Sequence, residues 1–126
     1  MPSEANLLLL SGPQVEPLLT PGAVLDAVRE AFVLHSQRLG RVFPVVRERL
    51  DTGGVFGIKS GDVQAHGLLG FKAAGFWPAN RARGGEPHQA TVMLCDPAIG
   101  RPTGISHQRF CRAERLVGRD KLLRPA

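Results

Sequence analysis

The sequence predicts an α+β domain in which an N-terminal helix packs on a mainly antiparallel sheet. Three observations carry this prediction. Gly 15 and Pro 10 in 126 residues interrupt the chain too often for a helical bundle and favour turn-rich structure. Residues 21–39 alone repeat their apolar side chains at helical spacing. From residue 42 onward, apolar residues fall in short β-branched or aromatic runs divided by turn signals. The length suits one domain, and a hydrophobic share of 43% with 21% charged residues places it among soluble globular proteins.

Leu7–Leu10 is a short apolar strand stopped by Ser11-Gly12-Pro13. Thr20-Pro21 then starts the helix, with Thr as N-cap and Pro at the first position, where its missing N–H costs nothing. Val24, Leu25, Val28, Phe32 and Leu39 form its stripe, and Gly40 is the expected C-cap. Val42 to Leu50 is extended, since Pro44 disfavours helix in the residue before it. Asp51-Thr-Gly-Gly54 turns into Val55–Lys59, the second arm of a hairpin. Gly67–Trp77 is a strand, Pro78–Pro87 a loop, and His88–Cys95 another strand. Asp96–Gly100 is a turn with glycine at its left-handed position, and Arg101–Ile105 starts the returning strand. Neither internal repeats nor low-complexity segments occur.

The net charge of +5 is unevenly placed. Residues 106–126 hold six cations against two acids, whereas residues 1–105 hold ten against nine. The body is nearly neutral and a basic tail follows a break at Ser106. Nucleic-acid binding is therefore not expected: Phe110 is the tail's lone aromatic for stacking. Cys95 and Cys111 match no zinc spacing and read as reduced, cytoplasmic thiols. Leu7–Leu10 is too short for a signal peptide or membrane span. No dinucleotide glycine loop, phosphate-binding loop or nucleophile elbow is found.

Lys72 is the candidate with the most to explain. It interrupts the apolar run Leu68–Trp77, so it either snorkels to water or meets an anion in a pocket. Arg47 reads as a solvated hairpin residue or as a fork for a carboxylate. Lys59, in Gly57-Ile-Lys-Ser-Gly61, has glycines on both sides that let backbone and ligand approach closely, and solvent exposure is its simpler account. Thr91 offers a hydroxyl or merely favours a strand. His88 lacks companions at metal-ligand spacing, so no metal is expected. Arg81 and Arg83 lie in a loop, where solvation is the default, and Trp77 reads as a core or rim aromatic.

Several of these segments together resemble the N-terminal domain of the ornithine cyclodeaminase/mu-crystallin family. They are Leu8-Leu-Leu-Ser11, the Thr20-Pro21 helix with Ala27-Val-Arg-Glu-Ala-Phe32, and Gly70-Phe-Lys-Ala-Ala-Gly-Phe-Trp-Pro-Ala-Asn80. Arg83-Gly84, His88-Gln-Ala-Thr-Val-Met-Leu94 and Asp96-Pro-Ala-Ile-Gly-Arg-Pro-Thr103 follow in order. The resemblance spans about residues 5–105. It implies a substrate-binding and dimerisation domain of an NAD(P)-linked enzyme acting on an amino or imino acid. By position, Arg47 and Lys72 match the family's carboxylate-binding cations, with Lys72 also catalytic. Thr91 matches a threonine lining the site.

The departures shape the remaining expectations. Gly57-Ile-Lys-Ser-Gly61 stands where many members have Met-Pro-Ala, which argues against ornithine as substrate. After Ile105 the family's Arg-Thr-Ala-Ala helix and Rossmann domain are not recognisable, and Arg115 matches a third anion-binding arginine only by coincidence of position. The expected division is a domain at 1–105 and a basic, non-homologous tail at 106–126, in a truncated or frameshifted member. Such a chain is expected to bind no cofactor and to be inactive alone, as a homodimer with no membrane partner. The alternative is a non-catalytic module that binds a small anion or a protein.

Overall fold

The computed structural model describes residues 7–109; residues 110–126, with Cys111 and Arg115, lie outside the described residues. The chain opens with β1 (Leu8–Leu10) and a short helix α1 (Gly12–Val15) that runs into a 3-10 turn (Glu16–Leu18). Helix α2 (Pro21–Ser36) and strands β2 (Gly40–Val42), β3 (Val46–Arg49) and β4 (Val55–Val63) follow. A 3-10 turn (Gln64–His66) leads to β5 (Leu68–Phe76), and another (Pro78–Arg83) leads to β6 (His88–Cys95) and β7 (Pro102–Arg109).

These strands form one seven-stranded sheet in the order β1-β7-β6-β5-β4-β2, with β3 also paired to β4. The pair β1–β7 is parallel and the others are antiparallel. The α+β class is thus the fold observed. Three strand assignments differ from expectation. The stretch 42–50 is not continuous: β2 and β3 border successive halves of β4 and are separated around Pro44. Proline has no N–H to give a ladder, so the pairing breaks there. In turn β4 runs on to Val63, because β5 pairs with it along its whole length. Strand β7 likewise continues past Ile105 to Arg109, so the sheet crosses the charge break at Ser106.

Thr20 caps α2 as expected, its Oγ1 accepting from the Ala23 N–H at 3.3 Å. The C-terminus is a correction. Arg38, with φ 59°, takes the left-handed position instead of Gly40. The Leu39 N–H donates to the Leu34 carbonyl and the Arg38 N–H to that of His35, which is a Schellman closure. Gly40 is drawn into β2, opposite Val63.

The packing is thin. No residue of α2 is buried; Phe32 is 72% exposed and Leu25 57%. The helix lies against β2 at the rim, and its apolar stripe stays uncovered among the described residues. Val15, Pro87 and Ala90 are the buried apolar side chains there. A single sheet without a second layer closes no core. No described helix is long and apolar enough to cross a membrane.

Candidate functional site

Residues directly opposite one another in a ladder share a face, and faces alternate along each strand. The register therefore sorts every strand residue to one side. Lys72 lies opposite both Lys59 and Val92, and Val92 lies opposite Ser106. Arg47 lies opposite Gly57, which continues through Ala74 to Ala90. Arg49, Val55, Phe76 and His88 form the next row. These three rows occupy the same side, which we call the cationic face.

Arg47 and Lys72 are thus brought to one face, two strands and two residues apart. Strand spacing and rise place their Cα atoms about 12 Å apart on the diagonal. Between them runs the row Gly57, Ala74 and Ala90, a floor of small residues. Ala90 is 2% exposed. Gly57 is required by close approach: a Cβ there would stand 2.7 Å from the Val46 carbonyl oxygen. The floor is bordered on one side by Lys59 and Lys72, and on the other by Phe76 and His88. The Phe76 and His88 rings are 4.6 Å apart. The 3-10 turn brings the Arg81 guanidinium over the Phe76 ring at 5.9 Å, and the Trp77 N–H donates to the Pro87 carbonyl at 2.7 Å, tying the loop's ends together. Trp77 rests over the backbone of Gly54 and Gly75.

Thr91 is not brought to this group. It lies opposite Ala73 and His107, so its side chain leaves the other face, where its Oγ1 is 2.9 Å from His107 Nδ1. The expected trio of Arg47, Lys72 and Thr91 is therefore a pair of cations with the threonine hydroxyl on the reverse side. Phe71, Met93 and Ile105 align on that reverse face. The strand acids Glu48 and Asp62 also belong there, Asp62 directly opposite Arg41 and in bidentate contact with it. The Arg41 hydrogen bond holds the Asp62 carboxyl below its ordinary value of 3.8.

Sequence reading weighed Lys59 by its glycine neighbours, without its place opposite Lys72, and did not single out His107. Each acquires its neighbours through cross-strand pairing, which no local pattern announces. Among the described residues no cluster of His, Cys, Asp or Glu could hold a metal. The strands flanking the cationic face are antiparallel, unlike the parallel sheet of a dinucleotide-binding fold.

No family model matches the chain. An iminosuccinate reductase of Paracoccus denitrificans (strain Pd 1222) is 35% identical over 96 residues, covering 75% of this chain and 30% of that protein. The crystal structure of the Paracoccus denitrificans iminosuccinate reductase in complex with NAD+ superposes with a TM-score of 0.76 at 33% identity, over 80% of this chain and 32% of that one. A Thermococcus litoralis Δ1-pyrroline-2-carboxylate reductase in complex with NADH and L-proline matches at TM-score 0.75 and 23% identity, over 79% and 31%. A probable ornithine cyclodeaminase from Bordetella pertussis Tohama I matches at 0.66 and 18%, over 81% and 30%; at these identities the last two share the fold. The chain spans about a third of the length of the relatives it matches. In both its ordered motifs and its sheet, it belongs to the ornithine cyclodeaminase/mu-crystallin family and corresponds to the N-terminal domain of those enzymes.

Proposed function

We propose that the cationic face binds the carboxylate of an amino or imino acid, as the substrate-binding part of an NAD(P)-linked imino-acid reductase. The observation that carries this reading is the placement of Arg47 and Lys72 across the Gly57-Ala74-Ala90 floor. A planar guanidinium on one side and an ammonium on the other suit a carboxylate, while small residues let the carbon skeleton approach the backbone. Two fixed cations orient the α-carbon, and orientation supplies much of the rate of such a reaction. Lys72, half-buried, is also the group placed to hold or pass a proton beside the bound imine. The similar reductases are solved in complex with NAD+ or with NADH; the described residues here bind and orient, and the chain alone is inactive.

The chain also pairs with a second copy, which covers apolar surface that one sheet and one helix leave open. The test of the binding reading is an amide-shift titration of the 126-residue chain with L-alanine and L-proline. Each of Arg47→Ala and Lys72→Ala should weaken binding by about ten-fold or more, the worth of one charge-assisted hydrogen bond. Unchanged affinity in both variants would sink the clamp. NADH consumption by the isolated chain with an imino acid would overturn its inactivity.

A further inference from the structure

We propose that Arg81 is a further substrate-binding residue of the cationic face, and that Asn80 is the positioning residue that holds it there. The inference rests on the Arg47–Lys72 clamp and adds a contact at its Phe76 end. Phe76 lies two residues beyond Ala74 in β5 and Lys72 two residues before it. Both therefore stand on the face of the floor, about 7 Å along the strand to either side. The Arg81 guanidinium lies over the Phe76 ring, 5.9 Å from its centroid. A cation is thus placed at the end of the floor away from Lys72. A guanidinium over an aromatic face keeps the N–H donors of its edge for a planar anion. Among the described residues no carboxylate pairs with Arg81, and the strand acids Glu48 and Asp62 are on the reverse face.

An arginine in a loop is ordinarily solvated and free to swing. Here its base is fixed. The Trp77 N–H closes the loop on the Pro87 carbonyl at 2.7 Å, and the Trp77 ring is seated over Gly54 and Gly75. Inside that closure the Gly85 N–H donates to the Asn80 carbonyl at 2.8 Å, and the Gly84 N–H to that of Arg81 at 3.1 Å. Gly84, with φ 71°, takes the left-handed conformation this tight turn requires. The Asn80 side chain ties the loop from within. Its Nδ2 donates to the Glu86 carbonyl at 3.0 Å, which also accepts from Gln89 Nε2 at 3.0 Å. Asn80 is half-buried and Arg81, next in the chain, is exposed, so the tie is sheltered while the guanidinium stays open to a ligand. A loop bonded in this way has little freedom left to lose when a ligand binds, which leaves Arg81 preorganised.

The experiment titrates the 126-residue chain with L-alanine and follows backbone amide shifts. Arg81→Gln should weaken binding by about five-fold or more, within the worth of one charge-assisted contact. Arg81→Lys keeps the charge and should bind within about three-fold of wild type, which separates loss of charge from damage to the loop. Asn80→Ala should weaken binding by about three-fold by loosening the loop. In the Arg81→Gln background the same change should have no effect, because it acts through Arg81. An Asn80→Ala effect of equal size in both backgrounds overturns the positioning role. If Arg81→Gln binds as wild type while Lys72→Ala weakens binding, the clamp stands and the Arg81 contact is overturned. If L-alanine does not bind the wild-type chain, the clamp and the Arg81 contact fail together.

Discussion

Arg41 and Asp62 face one another where β2 meets the far half of β4, and their charges join the rim of the sheet to one of its two longest strands. Because the Arg41 hydrogen bond lowers the Asp62 pKa from 3.8, the stabilisation is fully present above that value. It is lost as pH falls through the lower, folded-state pKa. Asp62→Asn should therefore be less stable than wild type near neutrality, and the difference should shrink as the solution is acidified below about pH 4. Chemical denaturation at a series of pH values measures this; a gap that widens on acidification contradicts it. At the same scale Arg38 accepts a left-handed conformation that costs a residue with a Cβ about 1 kcal/mol. The helix ends there because Gly40, the residue best suited to that role, is used in β2. Arg38 shows how local preference yields to pairing.

Strand β3 is the element on which the candidate site depends most. It is four residues long, pairs with β4 alone in the sheet, and carries Arg47. Its approach is permitted by Gly57, where a Cβ would meet the Val46 carbonyl at 2.7 Å. Gly57→Val should push β3 from β4 and abolish carboxylate binding although Arg47 is unchanged. The destabilisation should be about 1–3 kcal/mol, the usual cost of overpacking. Retained binding, together with unaltered amide exchange in Val46–Arg49, would show that the strand tolerates the intrusion. Much of the element map was legible because its signals are local. Thr20-Pro21 starts α2, Asp96–Gly100 turns with Gly100 at φ 73°, and His88–Cys95 is a strand with the bounds its β-branched run suggested. The breaks around Pro44 and the extension of β4 to Val63 were less legible, since each depends on the strand next door.

At the scale of the whole molecule, apolar surface exceeds what one sheet and one helix can bury. The α2 stripe presents Leu25, Val28 and Phe32 to the outside, and the reverse face aligns the half-buried Phe71, Met93 and Ile105. Exposed apolar surface on this scale marks an interface. Sedimentation equilibrium should find a dimer, and Phe32→Glu should weaken association by at least about ten-fold, as burying an unpaired charge at an interface does. A wild-type chain that sediments as a monomer at high concentration would remove the pairing reading. The sequence by itself determined the α+β class, the helix start, the turns and the order of family motifs, because each depends on residues adjacent in the chain. Only the tertiary structure decided that Arg47 shares a face with Lys72 and Lys59, while Thr91 turns away toward His107. The reason is the two-residue period of a strand: shifting one register by a single residue exchanges its faces, and register is set by partners distant in sequence.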